Sequence, residues 1–183
     1  DKLYETNPYG GIHIYDDIYT LKVNSFSNVP TDIVRTINAN GKTYFLSVFK
    51  GLFSLKDNAF SSYLKSKKLN EEKLKYIAKK DNGNLIVSSE FGDVFIIDDS
   101  ESFKILHKIS KNEIIGNSIN FLETYKDFIF IGTEKGITIY KNGSIRLLDK
   151  EQGLLDCNFS TSEIIDGTLF LGTDKGYYKL DLE

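Results

Sequence analysis

Short apolar runs alternate with polar clusters along the whole chain, and the alternation keeps a fixed beat. Tyr44-Phe45-Leu46, Leu85-Ile86-Val87, Phe128-Ile129-Phe130-Ile131 and Thr168-Leu169-Phe170-Leu171 each lead, after a few polar residues, to a glycine that opens a second apolar stretch. Those glycines are Gly51, Gly92, Gly136 and Gly176; a weaker copy, Leu3-Tyr4 ahead of Gly11, comes first. The intervals from Gly11 onward are 40, 41, 44 and 40 residues. Runs this short, rich in β-branched and aromatic residues, with alternation as in Ile137-Thr138-Ile139-Tyr140, predict half-buried antiparallel strands.

Two further markers share the period. Asn40-Gly41, Asn82-Gly83 and Asp166-Gly167 stand nine or ten residues before a marker glycine and predict two-residue type I′ hairpins, in which both central residues need positive φ. The fourth copy has Lys126-Asp127 there, which predicts a different turn type. Polar clusters at Asp16-Asp17, Asp57-Asn58, Asp98-Asp99 and Lys141-Asn142-Gly143 end the strand after the glycine. The sum is four strands in about 40 residues, the period of a propeller blade. In the best copy the strands are 118–125, 128–133, 136–140 and 144–148. The segment from Tyr63 to Lys80, rich in Lys, Leu and Glu, loosely suits a helix; the repeat assigns it instead to an outer strand, a connection and an inner strand.

The expectation is therefore an all-β chain: about five β-propeller blades of four antiparallel strands, three complete and two partial, forming one segment of an incomplete propeller. The approximate blades are 1–28 (partial), 29–69, 70–112, 113–156 and 157–183 (partial). The first copy supplies strands two to four and the last supplies strands one to three, sets that do not close a ring end to end. The chain is accordingly expected to be an excerpt of a longer protein with more blades.

Phe130-Ile131-Gly132-Thr133-Glu134-Lys135-Gly136-Ile137-Thr138-Ile139-Tyr140 resembles the two-component regulator propeller repeat, in which a strand ending Trp-Ile-Gly-Thr is followed by polar residues, Gly-Leu and an aromatic. Phe170-Leu171-Gly172-Thr173-Asp174-Lys175-Gly176-Tyr177-Tyr178 is a second good copy, and Gln152-Gly153-Leu154-Leu155-Asp156-Cys157-Asn158 resembles the stretch leading into that family's next blade. The likeness is sharp over 117–180. Elsewhere Ser47-Val48 and Ser88-Ser89 replace Gly-Thr, and the Trp is absent. What the resemblance implies is a periplasmic or extracytoplasmic sensor region of a bacterial two-component system. In the family such a region is often followed by a β-sandwich, a membrane helix and a kinase or helix-turn-helix output module, and oligosaccharides are common ligands.

Composition narrows the classes. A net charge of −3 over 183 residues leaves no basic footprint for nucleic acid. No apolar stretch approaches the length of a membrane span, so no direct membrane contact is expected here, and no signal peptide is visible. His13 and His107 stand far apart without ligand-spaced partners, so neither a metal nor another cofactor is expected. His13 reads as a strand residue. Cys157, the single cysteine, lacks a nucleophile signature and reads as a small buried residue. The Asp16-Asp17 and Asp98-Asp99 pairs read as turn residues rather than acid–base pairs. Lys65-Ser66-Lys67-Lys68 and Lys79-Lys80, balanced by Glu71, Glu72 and Asp81, read as a solvated outer face.

No catalytic constellation stands out, and no enzyme activity is expected. The candidate ligand-binding residues are those of the turns joining second and third strands: Phe49, Lys50, Glu90, Phe91, Glu134, Lys135, Asp174 and Lys175, with Tyr9 in the first copy. Because a blade begins at its innermost strand, these turns emerge on the same rim as the blade-to-blade connections, where variable loops carry function on repeat scaffolds. Aromatic rings beside Lys and Glu suit stacking on a sugar or gripping a peptide; ordinary solvated turns are the bland alternative. The functional expectation is a non-catalytic ligand-sensing or signal-input region. Its expected partners are an oligosaccharide or other small ligand, the remaining blades and output module of the same protein, and a homodimer. The alternative is a protein-interaction scaffold without a small-molecule ligand.

Overall fold

The computed structural model describes residues 3–6, 12–15, 21–23, 30, 32–57, 59–63, 69, 73–99 and 103–183. The Tyr9 to Gly11 turn, Asp16-Asp17, Asn58 and Lys65 to Lys68 with Glu71 and Glu72 lie outside these residues.

Within each sheet of the described residues every strand pairs antiparallel with the next in sequence, so each sheet is a simple meander. Leu3–Thr6 (β1), Ile12–Tyr15 (β2) and Leu21–Val23 (β3) form a three-stranded sheet. Ile33–Ala39 (β4), Lys42–Ser47 (β5), Gly51–Lys56 (β6) and Ala59–Ser62 (β7) make the first four-stranded blade. The second comprises Leu74–Lys79 (β8), Leu85–Ser89 (β9), Val94–Asp98 (β10) and Lys104–Ile109 (β11). Ile119–Tyr125 (β12), Phe128–Thr133 (β13), Gly136–Lys141 (β14) and Ser144–Leu148 (β15) form the third. Phe159–Ile165 (β16), Thr168–Thr173 (β17) and Gly176–Asp181 (β18) form the fourth. The count of about five is corrected here. A blade is built outward from its first strand; among the described residues four sheets show one, and the β1–β3 sheet shows strands two to four.

The segment weighed as a helix yields a strand at β8, and its apolar residues explain why: Leu74 and Ile77 are buried. The predicted turns are mostly right. Asn40 and Gly41 (φ 52° and 68°) and Asp166 and Gly167 (47° and 72°) have the paired positive φ of type I′ hairpins. Lys126 alone is positive in its pair (51°), the different turn expected there. Asn82-Gly83 is a correction. Gly83 N–H donates to Lys80 O at 2.9 Å and Lys80 N–H to Asn84 O at 2.9 Å, which makes a three-residue loop with only the glycine left-handed (φ 87°).

The chain divides into two compact units, Asp1–Lys75 and Tyr76–Glu183. In the first, Ile14 packs with Phe45, Phe53 and Leu55, and Phe60 stacks on Phe53 with ring centroids 5.3 Å apart. In the second, blades stack face to face, and the central strands of the second and third blades are largely buried. One core joins Ile86, Val94, Ile96 and Ile109 of the second blade to Ile119, Ile129, Ile131 and Tyr140 of the third. The next joins Phe121, Phe130 and Ile137 of the third blade to Cys157, Phe159, Leu169 and Leu171 around the fourth. Alternation along β13 sorts the side chains: Ile129 and Ile131 face back, Phe130 faces forward.

Gly132 belongs to the forward face, and its lack of a side chain is a packing requirement. A Cβ there would overlap the Phe121 ring. That ring lies over the glycine because β12 carries a register shift between Ile119 and Phe121. It then meets Phe159 of the fourth blade edge to face, centroids 5.3 Å apart and planes at 82°. The same register shift recurs in β4 between Ile33 and Arg35, and in β16 between Phe159 and Thr161.

Candidate site at the second-to-third strand turns

In the four blades whose second-to-third turn is described, that turn or the strand after it is fastened to the segment that leads into or out of the same blade. In the third blade the Thr133 hydroxyl, fully buried, donates to Ile115 O at 2.6 Å and accepts from Lys135 N–H at 3.2 Å. Thr138 Oγ1 accepts the N–H of the same Ile115 at 2.9 Å, so two threonines hold both polar groups of one connecting residue. Glu134 turns inward as well: its two oxygens accept from Asn117 N–H at 2.9 Å and Ser118 N–H at 3.0 Å. Partial burial works against the charged form of Glu134, but the N–H bonds from Ser118 and Asn117 and the Lys135 charge hold its pKa below the ordinary value.

The other blades reach the same result with different chemistry. In the first, Asp32 accepts from the Ser47 hydroxyl at 2.7 Å and from Phe49 N–H at 2.8 Å. Burial opposes the charge on Asp32, and those bonds together with Lys50 outweigh it, so its pKa too is lowered. In the second, Asp93 accepts from Lys111 N–H at 2.9 Å and pairs with Lys108 Nζ at 2.7 Å. In the fourth, the Tyr178 hydroxyl accepts Asp156 N–H at 2.6 Å, while Asp174 accepts from the Asn158 amide at 2.6 Å. The pairing of Ser47 with Gly51 matches that of Thr133 with Gly136. Leu46-Ser47, not Ser47-Val48, therefore stands where the third blade has Gly-Thr.

The sequence-derived candidates thus separate into two kinds. Glu134 and Asp174 are engaged within their own blades. Phe49 and Phe91 project, 70% and 56% exposed, and Lys50, Glu90, Lys135 and Lys175 are each exposed on their own turns. The Lys73 ammonium sits 5.6 Å from the centre of the Phe49 ring. The fastening residues Asp32, Asp93, Thr133 and Thr138 were missed by sequence reasoning. Each lies 17 or 18 residues, or a whole hairpin, from its backbone partner, and only the folded blade brings them together.

The first strands carry a second line of contacts. Tyr76 Oη donates to Asn120 O at 2.6 Å, and Thr124 Oγ1 to Lys79 O at 2.6 Å, linking β8 to β12. Between β12 and β16, Ser162 Oγ donates to Glu123 Oε1 at 2.7 Å. Burial raises the Glu123 pKa, against the Ser162 bond and with the help of the Glu163 charge. Among the described residues no three His, Cys, Asp or Glu side chains group as metal ligands. His13 is a strand residue 3.5 Å from the Tyr15 hydroxyl, and Cys157 is buried in the core between the third and fourth blades. Burial raises the thiol pKa. Lys80 corrects one expectation: instead of facing solvent it is buried at the β8–β9 turn, with Nζ 3.9 Å from Asp127. No helix among the described residues is long and apolar enough to cross a membrane.

No family model and no curated protein matches the chain. Solved structures do. The extracellular domain of the hybrid two-component system BT4673 from B. thetaiotaomicron superposes with a TM-score of 0.77 at 18% identity, over 100% of this chain and 26% of that one. The WD40 β-propeller domain of Doa1 gives a TM-score of 0.70 at 12% identity, over 97% of this chain and 59% of that one. Virginiamycin B lyase from Staphylococcus aureus gives 0.67 at 12%, over 98% and 66%, so enzymes also figure among the similar propellers. This chain spans about a quarter of the length of the BT4673 domain. The Gly-Thr copies and the structural likeness agree on architecture: the chain is made of β-propeller blades like those in the extracellular domain of a two-component system.

Proposed function

We propose that the chain is part of the signal-input region of a longer extracytoplasmic bacterial sensor, where it contacts a ligand without catalysing a reaction. The observation that carries this reading is the projection of Phe49 and Phe91 from turns whose backbones are fixed from behind. A rigid turn presenting an aromatic ring loses little conformational freedom when a flat sugar face stacks on it. Surface lysines and Glu90 on the same turns supply hydrogen bonds to hydroxyls. An oligosaccharide is the favoured ligand class.

The test is a thermal-shift screen of the chain against oligosaccharides, followed by Phe49→Ala and Phe91→Ala. A ligand bound only by the folded state raises the melting temperature by mass action. The reading expects a shift that one or both variants abolish. A shift that both variants leave intact, or no shift with any oligosaccharide, counts against it. A scaffold role has one supporting observation: Leu155, in the connection to the fourth blade, is 85% exposed, as suits an apolar protein contact. Leu155→Ser would then weaken capture of that partner and leave sugar binding alone.

A further inference from the structure

The four-stranded blades end in β7, β11 and β15, and two of these outer strands are guarded against pairing with a further strand. β7 is only four residues long. β11 is broken by a register shift against β10 between Ile96 and Ile97, and it sets exposed Lys104 and Lys108 along its length. Short strands, bulges and edge lysines are the means by which sheets discourage an added strand. β15 has none of them. It pairs with β14 without a shift from Lys141 and Ser144 to Ile137 and Leu148, and among the described residues no strand pairs with its other edge. It also carries Ile145 and Leu147, 37% and 43% exposed. These stand opposite Tyr140 and Thr138, so they share the face that packs on the second blade. His107 of that blade's outer strand already stacks on Tyr140, ring centroids 5.5 Å apart, so the two aliphatic residues remain exposed beside a finished interface.

We propose that the free edge of β15 accepts an extended acidic segment of a partner protein, which adds to the third blade as a strand antiparallel to β15. Charge selects the occupant. From Lys135 to Leu148 the chain carries Lys135, Lys141 and Arg146 and no carboxylate, although its net charge is −3. Arg146 points to the face opposite Ile145 and Leu147, is exposed, and makes no ion pair with the described residues. A second copy offering the same edge would bring like charges together, which opposes self-pairing. A strand that reads apolar, acidic, apolar sets a carboxylate opposite Arg146 and aliphatic groups opposite Ile145 and Leu147, while main-chain hydrogen bonds hold it to the edge. The site lies on an outer strand rather than on the second-to-third turns, so it stands apart from the sugar-binding reading.

The probe is a synthetic peptide of alternating valine and glutamate with capped ends, titrated into the 183-residue chain. Saturable binding is expected, with hydrogen exchange slowed at 144–148 and unchanged at 104–109. A valine–lysine peptide does not bind, nor does a glutamate peptide with proline at its centre. Arg146→Glu, checked for folding by its melting curve, weakens the glutamate peptide by about tenfold or more and confers binding of the lysine peptide. Ile145→Ser combined with Leu147→Ser weakens binding at unchanged charge, whereas Phe49→Ala and Phe91→Ala leave it intact. Absence of protection at 144–148 under saturating peptide overturns the proposal. So does equal binding of the glutamate and lysine peptides by the parent chain, or binding that Arg146→Glu leaves untouched. Protection at 144–148 that grows with chain concentration and without peptide assigns the edge to a second copy, and overturns the proposal as well.

Discussion

At the scale of the residue, two positions show how local chemistry is set by the neighbouring blade. Gly132 is a glycine because the Phe121 ring occupies the space a side chain would need. Gly132→Ala must displace that ring from Phe159, and overpacking of this kind costs about 1–3 kcal/mol; a urea unfolding curve measures it. Glu123 is the second. Its pKa is raised in the folded chain by burial, with the Ser162 hydroxyl bond opposing and Glu163 adding. The sign follows directly. Below its unfolded value the carboxyl is neutral in both states and costs nothing. As pH rises through that value and then through the raised folded one, the unfolded chain releases its proton more readily and stability falls. Glu123→Gln keeps an acceptor for Ser162 and removes the charge, so the variant is more stable than the parent at pH 7. The advantage fades toward pH 4 in melting curves recorded across that range.

At the scale of the element, the turn after each second strand is held by side chains rather than by sequence identity. Thr133 and Thr138 grip Ile115, Asp32 grips Ser47 and Phe49, and Tyr178 grips Asp156. Thr133→Val removes the hydroxyl bond to the part-buried Ile115 carbonyl and is expected to cost about 1 kcal/mol or somewhat more, while Thr133→Ser retains the hydroxyl and costs less; chemical denaturation of the two variants separates lost hydrogen bonding from lost packing. The strands themselves were legible because their periods are local: the four predicted in the third blade match the observed ones to within a residue at each end. The grips were not legible, since hydroxyls and carboxylates in a polar turn carry no mark of the backbone group they will meet. The same blindness made Lys80 read as solvated, though its partner Asp127 lies in the hairpin of the next blade.

At the scale of the molecule, the second, third and fourth blades support one another through faces, and each of the two cores between them joins neighbours. Phe159→Ala removes the ring that caps Phe121, with a cost of about 3–5 kcal/mol for a core phenylalanine. In an array of nearest-neighbour contacts the damage stays near its source. Hydrogen exchange is expected to quicken in β13, β14, β16 and β17 and to stay unchanged in β9 and β10. The blade count was the part of the architecture that the period overstated. A marker glycine reports a second and third strand, so it counted the β1–β3 sheet, whose described residues show no first strand, as a partial blade.

The interchangeable grips on the turns bear on how such a protein changes over generations. Threonine, serine, aspartate, glutamate and tyrosine all perform the fastening, and they do so from behind. Drift or grafting at the outward positions of one turn therefore alters what that blade meets while its geometry persists. A library randomised at Phe49 and Lys50, with Asp32 and Ser47 retained, would sample new surfaces on one unaltered frame.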